Sequence, residues 1–158
     1  MGWEPIAPYL LGACGLVLLL AGIQDARSRT IAHWQVIALI LLAPLYWNAL
    51  GLAPWPDMAW RLGAGVLTLA LFLVPFHFGW MAGGDVKLLA ALALWLPPDL
   101  LLPALQVIAL MGGVVTLPFW WARRRAAGEP VPVEVPYGVA IAAGGLLIIS
   151  EPIVNQFG

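Results

Sequence analysis

The chain has 158 residues, 63% of them hydrophobic and only 9% charged, with a mean hydropathy of +0.95. A soluble domain is about half apolar and a quarter charged, so a water-soluble fold, disorder, collagen and a disulfide framework are all excluded. The net charge of −1 offers no surface for nucleic acid.

A bilayer-crossing helix takes about 20 apolar residues, so six spans use about 120 and leave about 38 for loops and ends. Runs such as Gly15 to Gly22 and Val66 to Pro75 do not alternate in polarity, which rules out a transmembrane barrel. The expected fold class is all-α: a polytopic membrane protein of about six transmembrane helices, forming a single domain over residues 1–158.

The first apolar run, residues 6–24, is preceded by Glu4 and followed by Arg27 and Arg29. That is the charge order of a retained helix with its N-terminus outside, not of a cleaved signal peptide. The single cysteine, Cys14, lies in the middle of this run. It can neither close an intrachain disulfide nor build a four-thiolate metal site, and reads as a small buried apolar side chain.

The second run, 34–52, closes on Ala53-Pro54-Trp55-Pro56-Asp57, where two prolines remove donors and oppose helix. The third covers 60–78. A glycine-rich segment, Gly79 to Lys87, comes next, and the apolar stretch after it runs only from Leu88 to Leu96 before Pro97-Pro98-Asp99. At about 1.5 Å per residue such a stretch crosses about half the hydrocarbon layer. A fourth span over 81–97 is therefore short, or broken near Gly83-Gly84-Asp85, with its irregular backbone buried in protein or facing water. The fifth run is 100–121 and the sixth 136–154.

With the N-terminus outside, the inner loops hold Arg27, Arg29, Lys87, Arg123, Arg124 and Arg125. Of the seven basic residues, only Arg61 falls on the other side. This obeys the positive-inside rule and places both termini outside. All nine tryptophans (Trp3, Trp34, Trp47, Trp55, Trp60, Trp80, Trp95, Trp120 and Trp121) fall near span ends and read as an interfacial belt. The interior loop 123–136, with Gly128, Pro130 and Pro132, is too short for a second domain. No internal repeat stands out, and the Gly79/Gly83 spacing reads as close helix packing.

Among the eight acidic residues, Glu4, Asp57, Asp99 and Glu151 fall at outer boundaries, and Glu129 and Glu134 in the interior loop, all as solvated surface charges. Asp25 and Asp85 differ. Each lies at the inner end of an apolar span, separated by two intervening helices, so both reach the same membrane face. An intramembrane carboxylate costs a few kcal/mol, which makes both candidates for function.

Two readings fit their placement. Asp25 pairs with Arg27 or Arg29 and Asp85 with Lys87, as interface ion pairs; or the two acids meet. Two carboxylates in a low-dielectric place share one proton. The ionised member takes a proton from water while the protonated member polarises a peptide carbonyl. Gly83-Gly84 fits either reading, as a plain helix break or as room for an extended substrate backbone beside the acids. His33 and His77 sit at helix boundaries and read as hydrogen-bonding caps.

Three segments resemble the prepilin peptidases, GxGD-type intramembrane aspartyl proteases, in the short form associated with tight-adherence (Flp) pilus systems. Asp25-Ala26-Arg27-Ser28-Arg29-Thr30-Ile31-Ala32-His33-Trp34 resembles the aspartate-x-arginine and Ile-Pro-Asn stretch after the first helix. Ala82-Gly83-Gly84-Asp85-Val86-Lys87-Leu88-Leu89-Ala90 resembles Gly-x-Gly-Asp-x-Lys-Leu, and Pro136-Tyr137-Gly138-Val139-Ala140-Ile141-Ala142 resembles a Pro-Tyr-Gly segment opening the last helix. The acids stand 60 residues apart, and the match covers nearly the whole chain. The chain departs from the pattern at Ala82, in place of the first glycine, and at Ala32 and His33, in place of Pro-Asn.

The resemblance implies a catalytic pair of Asp25 and Asp85, supported by Gly83, Gly84, Arg27 and Lys87. Lys87 either orients Asp85, meets an acidic substrate residue or snorkels to the inner interface. It also implies a bacterial inner-membrane enzyme whose partners are prepilin-like proteins with a short basic leader and a hydrophobic N-terminal helix, cleaved after a glycine near the cytoplasmic surface. Larger members carry a methyltransferase segment with paired CxxC cysteines. With Cys14 alone, neither methylation nor zinc is expected, and no other cofactor.

Three other readings carry weight. Proteases of the signal-peptide-peptidase or presenilin sort resemble the chain only in the second aspartate motif. A small proton-coupled transporter would place its acids near mid-membrane on broken helices in matching halves. A non-catalytic membrane subunit of a secretion system fits if the departures abolish activity.

Overall fold

Apolar chain in a bilayer must satisfy its backbone N–H and C=O groups internally, and helices do so within one segment. The computed structural model describes residues 4–125 and 136–157. Trp3 and the loop residues Gly128, Glu129, Pro130, Pro132 and Glu134 lie outside the described residues, as do the side chains of Glu4, Trp120, Arg123 to Arg125 and Glu151.

Six helices follow in order: α1 (Ala7–Ser28), α2 (His33–Ala49), α3 (Ala59–His77), α4 (Gly83–Ala93), α5 (Pro98–Arg125) and α6 (Tyr137–Phe157). There is no strand among the described residues. Helix α1 starts on a proline in its first turn, where the missing N–H costs nothing. It stops at Arg29, whose left-handed backbone (φ 56°) sends its N–H to the Asp25 carbonyl at 2.9 Å. Between α2 and α3 the proline-rich turn is held by the Ala53 N–H donating to the Asp57 carboxylate at 3.2 Å.

Among the described residues three segments are long and apolar enough to cross a membrane: Ala7–Ser28, Pro54–His77 and Pro98–Pro118. Helices α2 and α4, at 17 and 11 residues, are shorter. The chain is an all-α membrane protein. Many of its largest apolar side chains, such as Leu41, Val66, Leu102 and Leu110, point outward, where in water they would form an aggregation-prone patch.

The short fourth element is the centre of the packing. Helix α4 packs on α3 and also touches α2 and α6, while α1 lies against α2 and α6, and α5 against α6. Val86, Leu88, Leu89 and Leu92 of α4 are buried with Leu18, Leu39 and Ile141. Cys14 is fully buried in the same core.

The tryptophan belt needs one correction. Trp34, Trp55, Trp60, Trp80 and Trp121 are exposed, but Trp47 and Trp95 are only 3% and 2% exposed. Their indole N–H groups donate to the Leu94 carbonyl at 2.8 Å and the Leu39 carbonyl at 3.1 Å. The Leu94 carbonyl lies just past the end of a helix, where helical donors are missing, and the Trp47 indole supplies one.

Candidate active site

Asp25 sits on the last turn of α1 and is 5% exposed. Its Oδ2 accepts the Val139 backbone N–H at 3.3 Å. Val139 is in the first turn of α6, and its N–H, shared with the Pro136 carbonyl at 3.2 Å, lies at the positive end of the helix, which favours an anion. The glycine of the Pro-Tyr-Gly segment makes this approach feasible. A Cβ on Gly138 would fall 2.8 Å from both Cγ and Oδ2 of Asp25, closer than any real side chain sits.

Asp85 occupies the third position of α4 and is 4% exposed. An acid in a first turn complements the positive end of the helix. The preceding glycine is again steric: a Cβ on Gly84 would meet the Ile31 Cβ at 3.2 Å. The α1–α2 connection therefore packs directly on the start of α4.

Asp25, Asp85, Gly83 and Gly84 line one cavity of about 380 Å³. Arg29, Thr30, His33 and Lys87 complete its polar lining. Lys87 is exposed. Arg27 is exposed and is not among the lining residues, whereas Arg29 is. The basic residue of this stretch that meets the cavity is thus the one that ends the helix.

Local geometry accounts for both departures from the resembled motifs. Ala82 holds the N-cap of α4 with φ −75° and ψ 147°, an ordinary extended conformation that needs no glycine. Ala32 caps α2 with φ −70° and ψ 137°, within proline's range. Its N–H donates to Gln35 Oε1 at 3.1 Å, a bond proline could not make.

Gln35, rather than His33, thus supplies the cap of α2. His33 is the first residue of that helix, exposed and facing the cavity. His77 is exposed at the end of α3, edge-on to Phe78 at 5.6 Å. Sequence reasoning missed the buried Gln35, whose Nε2 donates to Gln24 Oε1 at 3.1 Å and ties α2 to the residue before Asp25. A glutamine three residues into a helix is the usual signal of such a cap.

A second, apolar cavity of about 610 Å³ lies between α3, α5 and α6, beside Trp80, Met81 and Leu89. The segment from Trp80 to Asp85 runs past both cavities.

The model of the type IV leader peptidase family matches residues 12–117, which include both acids and the whole of α4. The chain belongs to the type IV leader peptidase family. Two prepilin leader peptidase/N-methyltransferases, from Burkholderia pseudomallei strains 1026b and K96243, are each 31% identical over 115 residues. That alignment covers 66% of this chain and 36% of each relative. The chain thus spans about a third of the length of the curated relatives it matches. No solved structure matches. Family membership weighs against the transporter, signal-peptide-peptidase and presenilin readings.

Proposed function

We propose that this leader peptidase homologue is an aspartic endopeptidase of the bacterial inner membrane, a single-domain, multi-pass protein with both termini outside. Its substrates are prepilin-like proteins with a short basic leader and a hydrophobic N-terminal helix, and its pilus system is of the tight-adherence type. Asp25 and Asp85 are the catalytic pair, with Gly83, Gly84 and Lys87 in support. The observation that carries this reading is the convergence of two buried acids, 60 residues apart in sequence, on one cavity. Lipid surrounds the spans, and no cofactor takes part.

The chemistry follows from one proton shared by two acids. The ionised carboxylate takes a proton from a water held between them, and the protonated carboxyl donates to the scissile carbonyl oxygen. The water oxygen bonds to the carbonyl carbon, and the tetrahedral adduct collapses as the leaving amine gains a proton. A backbone presented to such a pair must be extended, because a helix hides its carbonyls in internal bonds. Gly83 and Gly84 line the cavity beside Asp85 where that backbone would lie.

Such a pair gives a bell-shaped pH profile. At low pH both acids are protonated and no base remains; at high pH both are ionised and no acid remains. Cleavage of a prepilin by the detergent-solubilised protein is therefore expected to fall on both sides of one optimum. A rate that rises to a plateau and stays there would overturn the shared-proton mechanism.

A further inference from the structure

Arg61 is a cation near the start of α3 and only 7% exposed, the one basic residue that the expected topology puts outside. Its Nη1 donates to the Trp95 carbonyl at 2.9 Å. Trp95 follows the end of α4, and the carbonyls there have no helical donors of their own. The Leu94 carbonyl accepts from Trp47, and the Trp95 indole reaches the Leu39 carbonyl of α2. Leu39 lies next to Ile40, whose carbonyl Pro44 leaves without a helical donor. Tyr46 stacks on Trp95 with ring centroids 5.1 Å apart. The end of α4 is therefore tied to α2 and α3 by directional bonds, with a positive charge at its negative pole.

Helix α4 carries Asp85 at its other end. A helix is stiff along its axis and advances about 1.5 Å per residue, so one turn of slippage displaces its first turn by about 5 Å. Close packing of Leu88, Leu89 and Leu92 resists such sliding, and hydrogen bonds to named carbonyls at one end add a directional constraint. We infer that Arg61, with Trp47, is a positioning residue that sets the axial register of α4 and so holds Asp85 opposite Asp25. The inference rests on the proposed function only for its effect on the rate; the register itself is a structural matter.

The test reads the two apart. Ile31→Cys with Gly84→Cys, in a Cys14→Ala background, places thiols where the Cβ separation is 3.2 Å, close to the roughly 3.5 Å lower end for a disulfide. This cross-link reports the register of α4 without any need for activity. In the full-length membrane-inserted protein, Arg61→Met is expected to lose the cross-link. In the Cys14→Ala parent, without the two added cysteines, it lowers kcat for prepilin cleavage about a hundredfold with KM unchanged.

Arg61→Lys, which keeps one donor and the charge, restores part of both. Cross-linking and kcat at parental levels in Arg61→Met would overturn the inference. If Arg61→Met fails to accumulate, Trp47→Phe, which removes only the donor to Leu94, is read in the same way and with the same overturning result. If the parent cleaves no prepilin, the functional reading falls and the cross-link alone decides the register.

Discussion

Asp25→Asn and Asp85→Asn are each expected to cut the rate of leader cleavage about a thousandfold, equivalent to ~4 kcal/mol of transition-state stabilisation. The amide has the shape of the carboxyl but neither gives nor takes a proton. Both acids are buried and contribute to one cavity, so losing either removes the shared proton rather than half of the effect. Neutralising a buried carboxyl also relieves the cost of burying charge. Each variant should therefore accumulate and insert at wild-type levels. Single-turnover cleavage of a purified prepilin checks the rate, and thermal melting in detergent checks the fold. A variant that melts early and loses activity in proportion would assign these acids to structure instead.

The second large effect falls on a residue without a functional group. Gly138→Ala puts a methyl group 2.8 Å from the Asp25 carboxyl, and either that side chain or the start of α6 must move. Misplacement by about 1 Å costs about a hundredfold in rate. The Val139 N–H would withdraw from Asp25 at the same time. Gly138→Ala is thus expected to lower kcat about a hundredfold with substrate binding retained, as read from kcat and KM together. Gly113→Ala is the control, since nothing lies within 4 Å of a Cβ there. Equal activity in the two variants would show that Asp25 tolerates the displacement.

Hydropathy made the all-helical class of the fold legible, because long apolar runs, terminal glycines and paired prolines punctuate this chain. It also singled out the fourth as short. The reason for that brevity was not legible. Helix α4 ends inside the protein, where Trp47 and Arg61 satisfy the Leu94 and Trp95 carbonyls just past it, and one of these reads in sequence as a belt tryptophan and the other as a stray charge. Their roles depend on partners 47 and 34 residues away, which no local pattern encodes. Arg61 nonetheless carried a signal, as the one basic residue that the expected topology puts outside.

The acids were legible for the opposite reason. A carboxyl at the end of an apolar span is costly wherever its partner lies, so Asp25 and Asp85 stand out before any contact is known. Supporting residues were harder to assign. Arg27 and Arg29 look alike in sequence, and only the turn at the end of α1 directs Arg29 to the cavity. Gly138 was visible as part of a motif, but its purpose, to let α6 meet Asp25, is a contact across 113 residues.

The most direct test of the account is N-terminal sequencing of a prepilin co-expressed in bacteria with the wild-type chain, with Asp25→Asn and with Asp85→Asn. The account predicts a new N-terminus just after a glycine that follows the basic leader with wild type, and the intact leader with either variant. A leader removed as efficiently by either variant, or one left intact by a wild-type chain that is folded and inserted, would contradict it.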